Sequence, residues 1–246
     1  MSITKDDMLT VALATIVLAF AFSFKIDGSV TLQNWFAGFI IAFVLVFISL
    51  LLHFSAQYAA AGNYLVDMHM GPFALGYIIT LVLMLVSGGW LIFAALWSIK
   101  LNPTSSVGMK FRADPYKLAK IAFSGVAASL ILAVICGALR TYLGSLADKL
   151  VFINVSLAIS NIIPLLSLLP VVKFHSSGKN ANHYATGDYI FFGSRPLWIF
   201  TFVFVLASGM GLILFSSVYV LLLSFFIAAG FWLAWMYFLE GHKPQV

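Results

Sequence analysis

One histidine of this chain stands where hydrolytic chemistry would need three groups. In Leu51-Leu52-His53-Phe54-Ser55-Ala56-Gln57-Tyr58, His53 lies near the end of a strongly apolar run. Two histidines four residues apart on a helix, with a glutamate after the first, bind zinc on one face and supply the general base of a metalloprotease. Here Phe54 takes the glutamate position and Gln57 that of the second imidazole. A catalytic zinc has three protein ligands and an open position for water, and hydrolysis needs a carboxylate to move that water's proton. His53 alone does neither job. The expectation is a degenerate site with no catalytic residue intact and zinc lost, His53 being the one candidate ligand left in the motif. The same imidazole reads as a polar remnant satisfied by a backbone carbonyl or by Gln57.

Replacement groups are scarce. The sole glutamate is Glu240, and Asp6, Asp7, Asp27, Asp67, Asp114, Asp148 and Asp188 all lie outside the interiors of the apolar runs. His69, His175 and His183 read as solvated loop residues, the last two at a spacing that matches no zinc pattern. A site built from His53, His69 and Asp67, with zinc retained, is what a divergent enzyme would use. Asn154 and Asn161 lie seven residues apart, two helical turns, and so share a face, with Ser160 and Ser167 nearby. Such a stripe lines a cleft or hydrogen-bonds neighbouring helices, a contact worth about 0.6 kcal/mol on average in a membrane.

The elements that carry these residues follow from composition. Hydrophobic residues make up 63% of the chain and charged residues 9%, with a mean hydropathy of +1.07, which is a polytopic membrane protein in a lipid bilayer. Apolar runs near the roughly 20 residues a helix needs to cross occupy 8–24, 35–57, 73–99, 118–139, 150–172, 197–216 and 218–239. The first follows Lys5-Asp6-Asp7, with no basic leader and no convincing cleavage site, and reads as a retained span. The polar connections between runs are short, so a single membrane domain over 1–246 is expected. Trp35, Trp90, Trp97, Trp198, Trp232 and Trp235 read as interfacial anchors near span ends. The lone Cys136 excludes an intramolecular disulfide and a cysteine metal cluster.

A net charge of +5 is scattered through short loops, with no basic domain for nucleic acid; orientation explains it better, because Lys and Arg accumulate in cytoplasmic loops. With seven spans, or with six and run 73–99 dipping in and returning, the thirteen basic residues divide ten to three. Both arrangements put the C-terminus in the cytoplasm. They differ on the N-terminus. Pro72, Gly76 and Ser87-Gly88-Gly89 supply the flexible points that a re-entrant segment would use, although glycine is also common in ordinary transmembrane helices. Gly209-Met210-Gly211 reads as a close-packing or bending point.

The order of segments resembles that of site-2 proteases, the intramembrane zinc metalloproteases, of the archaeal and bacterial type, over nearly the whole chain. The succession is His53-Phe-Ser-Ala-Gln57, then Tyr64 to Gly71, Phe73 to Ile99, the small-residue helix around Ser124-Gly125-Val-Ala-Ala-Ser129, and Asn154 through Asn161-Ile-Ile-Pro164 to Leu169-Pro170. The resemblance implies an all-α membrane fold of six transmembrane helices plus a re-entrant segment, seven helices being the alternative. It implies a substrate-facing role for Asn161 with Pro164, and a third zinc ligand at the position held here by Leu169. The expectation is a catalytically inactive relative, a pseudoprotease, whose cleft over Asn154, Asn161 and Pro164 binds transmembrane helices of other proteins, or which serves as a scaffold or subunit of a membrane complex. A divergent active metalloprotease is one alternative. A small transporter or channel is another, against which the spans lack the internal ionisable residues that mark ion pathways.

Overall fold

A backbone without water must satisfy its own polar groups, so apolar runs of this length fold as helices. The computed structural model describes residues 4–24, 31–103, 114–165, 185–215 and 219–237. Helix α1 (Lys5–Ser23) opens with a capping box: Asp7 N–H donates to Thr4 Oγ1 at 3.2 Å and Thr4 N–H donates to the Asp7 carboxylate at 2.8 Å. Helix α2 (Leu32–Asn63) has 32 residues, about 48 Å at 1.5 Å per residue. Helix α4 (Pro115–Ala138), begun by an Asp114 cap with proline in its first turn, is followed by the single turn α5 (Arg140–Leu143) and by α6 (Ser145–Ile162). The short α7 (Thr186–Gly193) precedes α8 (Arg195–Phe215) and α9 (Tyr219–Trp235). Among the described residues α1, α2, α4, α6 and α8 are long and apolar enough to cross a membrane, as a multi-pass protein requires.

Run 73–99 is not one helix. Helix α3 (Ala74–Ser87) occupies its first half and stops where Gly88 and Gly89 adopt φ of 64° and 85°, a left-handed backbone that glycine tolerates best. The chain returns without regular structure to strand β2 (Trp97–Pro103), which pairs antiparallel with β1 (Val66–Pro72), and Pro72 faces Trp97 across the ladder. The two ends of the run therefore meet. At 14 residues α3 rises about 21 Å, short of a hydrocarbon core of about 30 Å. The mostly helical reading holds, but the two-stranded sheet is an addition to the all-α expectation.

Contacts between helices fix their directions. His53 meets Ser129 and Gln57 meets Ala122, so α2 and α4 are antiparallel. Asn154 meets Ser49, while Asn161 meets Ala94, on the return segment that leads to Trp97 beside His53; α6 therefore runs parallel to α2. Helix α4 packs against α2, α6 and α7, and its buried line of Ala119, Ala122, Gly125, Val126, Ser129 and Ala133 lets backbones approach closely. The outward faces are apolar instead of polar: Phe36, Val44, Phe47, Leu51 and Leu52 of α2 are all exposed, as lipid-facing side chains are.

Candidate functional site

The polar line of α2 is Ser49, His53 and Gln57, at i, i+4 and i+8, all fully buried. Each meets a different partner. Asn154 Nδ2 donates to Ser49 Oγ at 2.9 Å and to its own helix at Leu150 O, also 2.9 Å. His53 Nδ1 is hydrogen-bonded with Ser129 Oγ at 2.9 Å. Gln57 Nε2 donates to Ala122 O at 3.2 Å. His53 is thus held by a serine hydroxyl on α4, not by Gln57 or a backbone carbonyl as its sequence neighbourhood suggests, because α4 brings Ser129 to the ring while Gln57 reaches a backbone oxygen two turns away.

The remaining sides of the imidazole are closed. Its ring lies edge-on to Trp97 at 5.3 Å and to Phe54 at 5.7 Å between centroids, and Phe54 packs on Trp97 at 4.7 Å. Nε2 faces the α4 backbone at Gly125, where a Cβ would stand 2.5 Å from Nε2 and 2.8 Å from Gln57 Cγ. Only a residue without a side chain fits there. The donor set does not suit zinc: one ring nitrogen is engaged, the other lies against a helix backbone, and the adjacent motif positions offer a phenyl ring and an amide in place of a carboxylate and an imidazole. Trp97, expected as an interfacial anchor, is fully buried. Pairing with Pro72 turns it inward.

The replacement site of His53, His69 and Asp67 does not assemble. Strand β1 alternates, with Val66, Met68 and Met70 buried and Asp67 and His69 on the opposite, part-exposed face. His69 lies on strand β1 and not in a loop, with its side chain part exposed. Its Nδ1 lies 3.7 Å from the buried Asp7 carboxylate, whose other oxygen accepts Met70 N–H at 2.6 Å and ties β1 to the start of α1. Among the described residues no three His, Cys, Asp or Glu side chains converge as a metal group. Leu169, Pro170, His175, His183 and Glu240 lie outside the described residues.

At the end of α6 Asn161 and Pro164 are both buried. Asn161 Nδ2 donates to Leu157 O at 2.9 Å and, at 3.4 Å, to Ala94 O. The neighbouring Ser160 Oγ accepts Ala94 N–H at 2.8 Å. The sequence thus places Asn154 and Asn161 on one face, and the structure gives that face two occupants, Ser49 of α2 and the backbone of Ala94. Proline at 164 cannot continue the helix ladder. The carbonyl of Ile162 is taken by Trp198 Nε1 of α8 at 2.8 Å. Sequence reasoning missed Ser49 and the buried role of Trp97; the four-residue spacing of Ser49, His53 and Gln57 was the available signal for the first.

Five buried polar atoms around His53, Trp97 and the α6 asparagines have no hydrogen-bond partner among the described residues: His53 Nε2, Gln57 Oε1, Trp97 Nε1, Asn154 Oδ1 and Asn161 Oδ1. Buried groups of this kind are uncommon. No protein-family model matches the chain, and no curated protein or solved structure matches it either.

Proposed function

We propose that this chain is a catalytically silent membrane protein, similar in plan to site-2 proteases, that holds membrane segments of other proteins as a scaffold or as a subunit of a complex. The observation that carries the reading is the environment of His53. The three motif positions that would carry the chemistry and are described serve packing: His53 joins α2 to α4, Phe54 meets Trp97 edge-on, and Gln57 reaches the Ala122 carbonyl. A hydrolytic centre needs water and an open metal position at that point. The arrangement proposed in the bilayer is six spans with α3 re-entrant, since the ends of α3's run are joined by the β1–β2 ladder. The cytoplasmic side then carries the start of α1, the end of α2, the end of α6 and the C-terminus.

The test is purification from native membranes in mild detergent, with metal content and co-purifying chains measured together. A stoichiometric membrane-protein partner and no stoichiometric zinc are expected. Zinc at one per chain that is lost in His53→Ala, with cleavage of a membrane substrate, would replace this reading with that of a divergent protease.

A further inference from the structure

Residues 91–96 form no helix and no ladder of their own, yet Ile92, Phe93, Ala94, Ala95 and Leu96 are buried. Irregular backbone at membrane depth persists only where protein groups satisfy its amides and carbonyls. Here side chains do most of that. Ser160 accepts the N–H of Ala94 and Asn161 donates to its C=O, so two consecutive residues of α6 grip both polar groups of one residue. Thr80 of α3 donates to Phe93 O, Leu91 N–H donates to Ser87 Oγ at 2.8 Å, and Leu96 O accepts Phe73 N–H at 2.9 Å. Gly76 has no side chain because Ala95 O passes against its Cα.

We propose that Ser160 and Asn161 form a clasp for the backbone of an extended polypeptide, that residues 91–96 occupy it in cis, and that α3 with this segment is a plug which a partner's extended apolar segment displaces. The polar grip is on backbone alone, while the residue held is a fully buried alanine. It therefore suits a chain that presents an N–H and a C=O in the same extended geometry with a small side chain at that position. The two parts of the plug differ: residues 92–96 are buried throughout, whereas α3 is mostly exposed. Only Gly76, Thr80 and Met84 of α3 are buried, while Ile78, Val82, Leu85 and Val86 are exposed. The left-handed pair Gly88-Gly89 lies at its tip and the ladder at its base. The incoming segment is apolar and arrives through lipid, because the exposed face of α3 that it must pass is wholly apolar. The partner half of this proposal rests on the functional reading above; the clasp does not.

Hydrogen exchange of the full chain in lipid nanodiscs, read by mass spectrometry, tests the clasp. In the unmodified protein the amides of 92–96 should be protected but exchange at least tenfold faster than those of α4. Ser160→Ala should accelerate exchange at residue 94 about tenfold, the scale of one lost hydrogen bond, with α4 unchanged. Thr80→Ala, on a different helix, should loosen 92–96 in the same way and decides the matter if Ser160→Ala loosens the whole bundle. The partner half is tested with a synthetic peptide of the 90–96 sequence, flanked by lysines and carrying a photoreactive leucine. Thr80→Ala should raise its cross-linking to α6 at least threefold, and adding Asn161→Leu should abolish the gain. Unchanged exchange in both variants overturns the clasp and leaves the functional reading standing. Accelerated exchange without any cross-link to α6 overturns the displaceable plug, whereas the functional reading falls only if native purification yields no membrane-protein partner.

Discussion

Gly125→Ala puts one methyl group into the place where α4 crosses His53. The new Cβ would lie 2.5 Å from Nε2, 2.7 Å from Cδ2 and 2.8 Å from Gln57 Cγ, where ordinary carbon contacts need about 3.5 Å or more. Neither neighbour can yield easily. The imidazole is fully buried, fixed by Ser129 on one side and by Trp97 and Phe54 on others. Either α2 and α4 separate by about 1 Å, or the ring tilts and breaks its bond to Ser129. Overpacking relieved by helix separation costs about 1–3 kcal/mol and the alternative, a lost neutral hydrogen bond, about 1 kcal/mol, so a loss of about 1–3 kcal/mol is expected.

The assay is reversible unfolding in mixed detergent–lipid micelles, run as a double-mutant cycle with His53→Ala. Removing the ring removes the clash, so the double variant should be more stable than the sum of the single losses predicts by at least about 1 kcal/mol. A Gly125→Ala cost below about 0.5 kcal/mol, or strict additivity with His53→Ala, would refute the packed-imidazole geometry and reopen the space beside Nε2 to a ligand.

Ser49→Ala should destabilise by about 1 kcal/mol and couple to Asn154→Ala in the same cycle format, because Ser49 accepts the Asn154 amide. Asp7→Asn should cost about 1–3 kcal/mol and accelerate amide exchange at Met70, whose N–H the carboxylate holds at 2.6 Å. The combined change of Phe54→Glu, Gln57→His and Leu169→Asp should yield no efficient proteolysis of a membrane substrate, since the glutamate would face Trp97 in a dry interior; robust cleavage would contradict this. In a Cys136→Ser background, cysteines at Lys5 and Asn63 should label from one side of the membrane and a cysteine at Tyr142 from the other, and any other pattern would defeat the proposed six-span arrangement.

The helices were legible because lipid demands long apolar runs and this chain has them at every place where a long helix forms. The turn-back within 73–99 was legible in part, as one of two readings that Ser87-Gly88-Gly89 allowed, but the extended return and the sheet were not. Residues 73–99 are almost uniformly apolar, so nothing in hydropathy marks the point where α3 stops and an extended return begins; the left-handed pair Gly88-Gly89 marks it, but glycine occurs in ordinary transmembrane helices too. Strand β1 did carry a signal, the alternation of Val66, Met68 and Met70 with Asp67 and His69, which seven residues beside a long helix made easy to pass over. Trp97 illustrates a different limit. A tryptophan near the end of a run reads as an anchor, and only its register opposite Pro72 turns it onto His53.

In a bilayer the lipid tails are as apolar as leucine, so burial of apolar surface does little to choose one helix register over another. The line Ser49, His53 and Gln57 makes that choice here, because a slip of one turn on either partner would leave Asn154 or Ser129 without its contact. That accounts for the paired half of each polar group. The other half is uneven: Gln57, Asn154 and Asn161 each use the amide nitrogen and leave the oxygen over. The indole Nε1 of Trp97, packed against His53, is a donor in the same interior with no partner among the described residues. The leftover atoms are therefore of both kinds, acceptors on three amide side chains and a donor on one indole, and they lie inside packing that Phe54, Trp97 and the α4 backbone at Gly125 close around the imidazole. Register is thus fixed by the bonds that are made, and the unmade ones are the cost of burying two-sided polar groups where one side suffices.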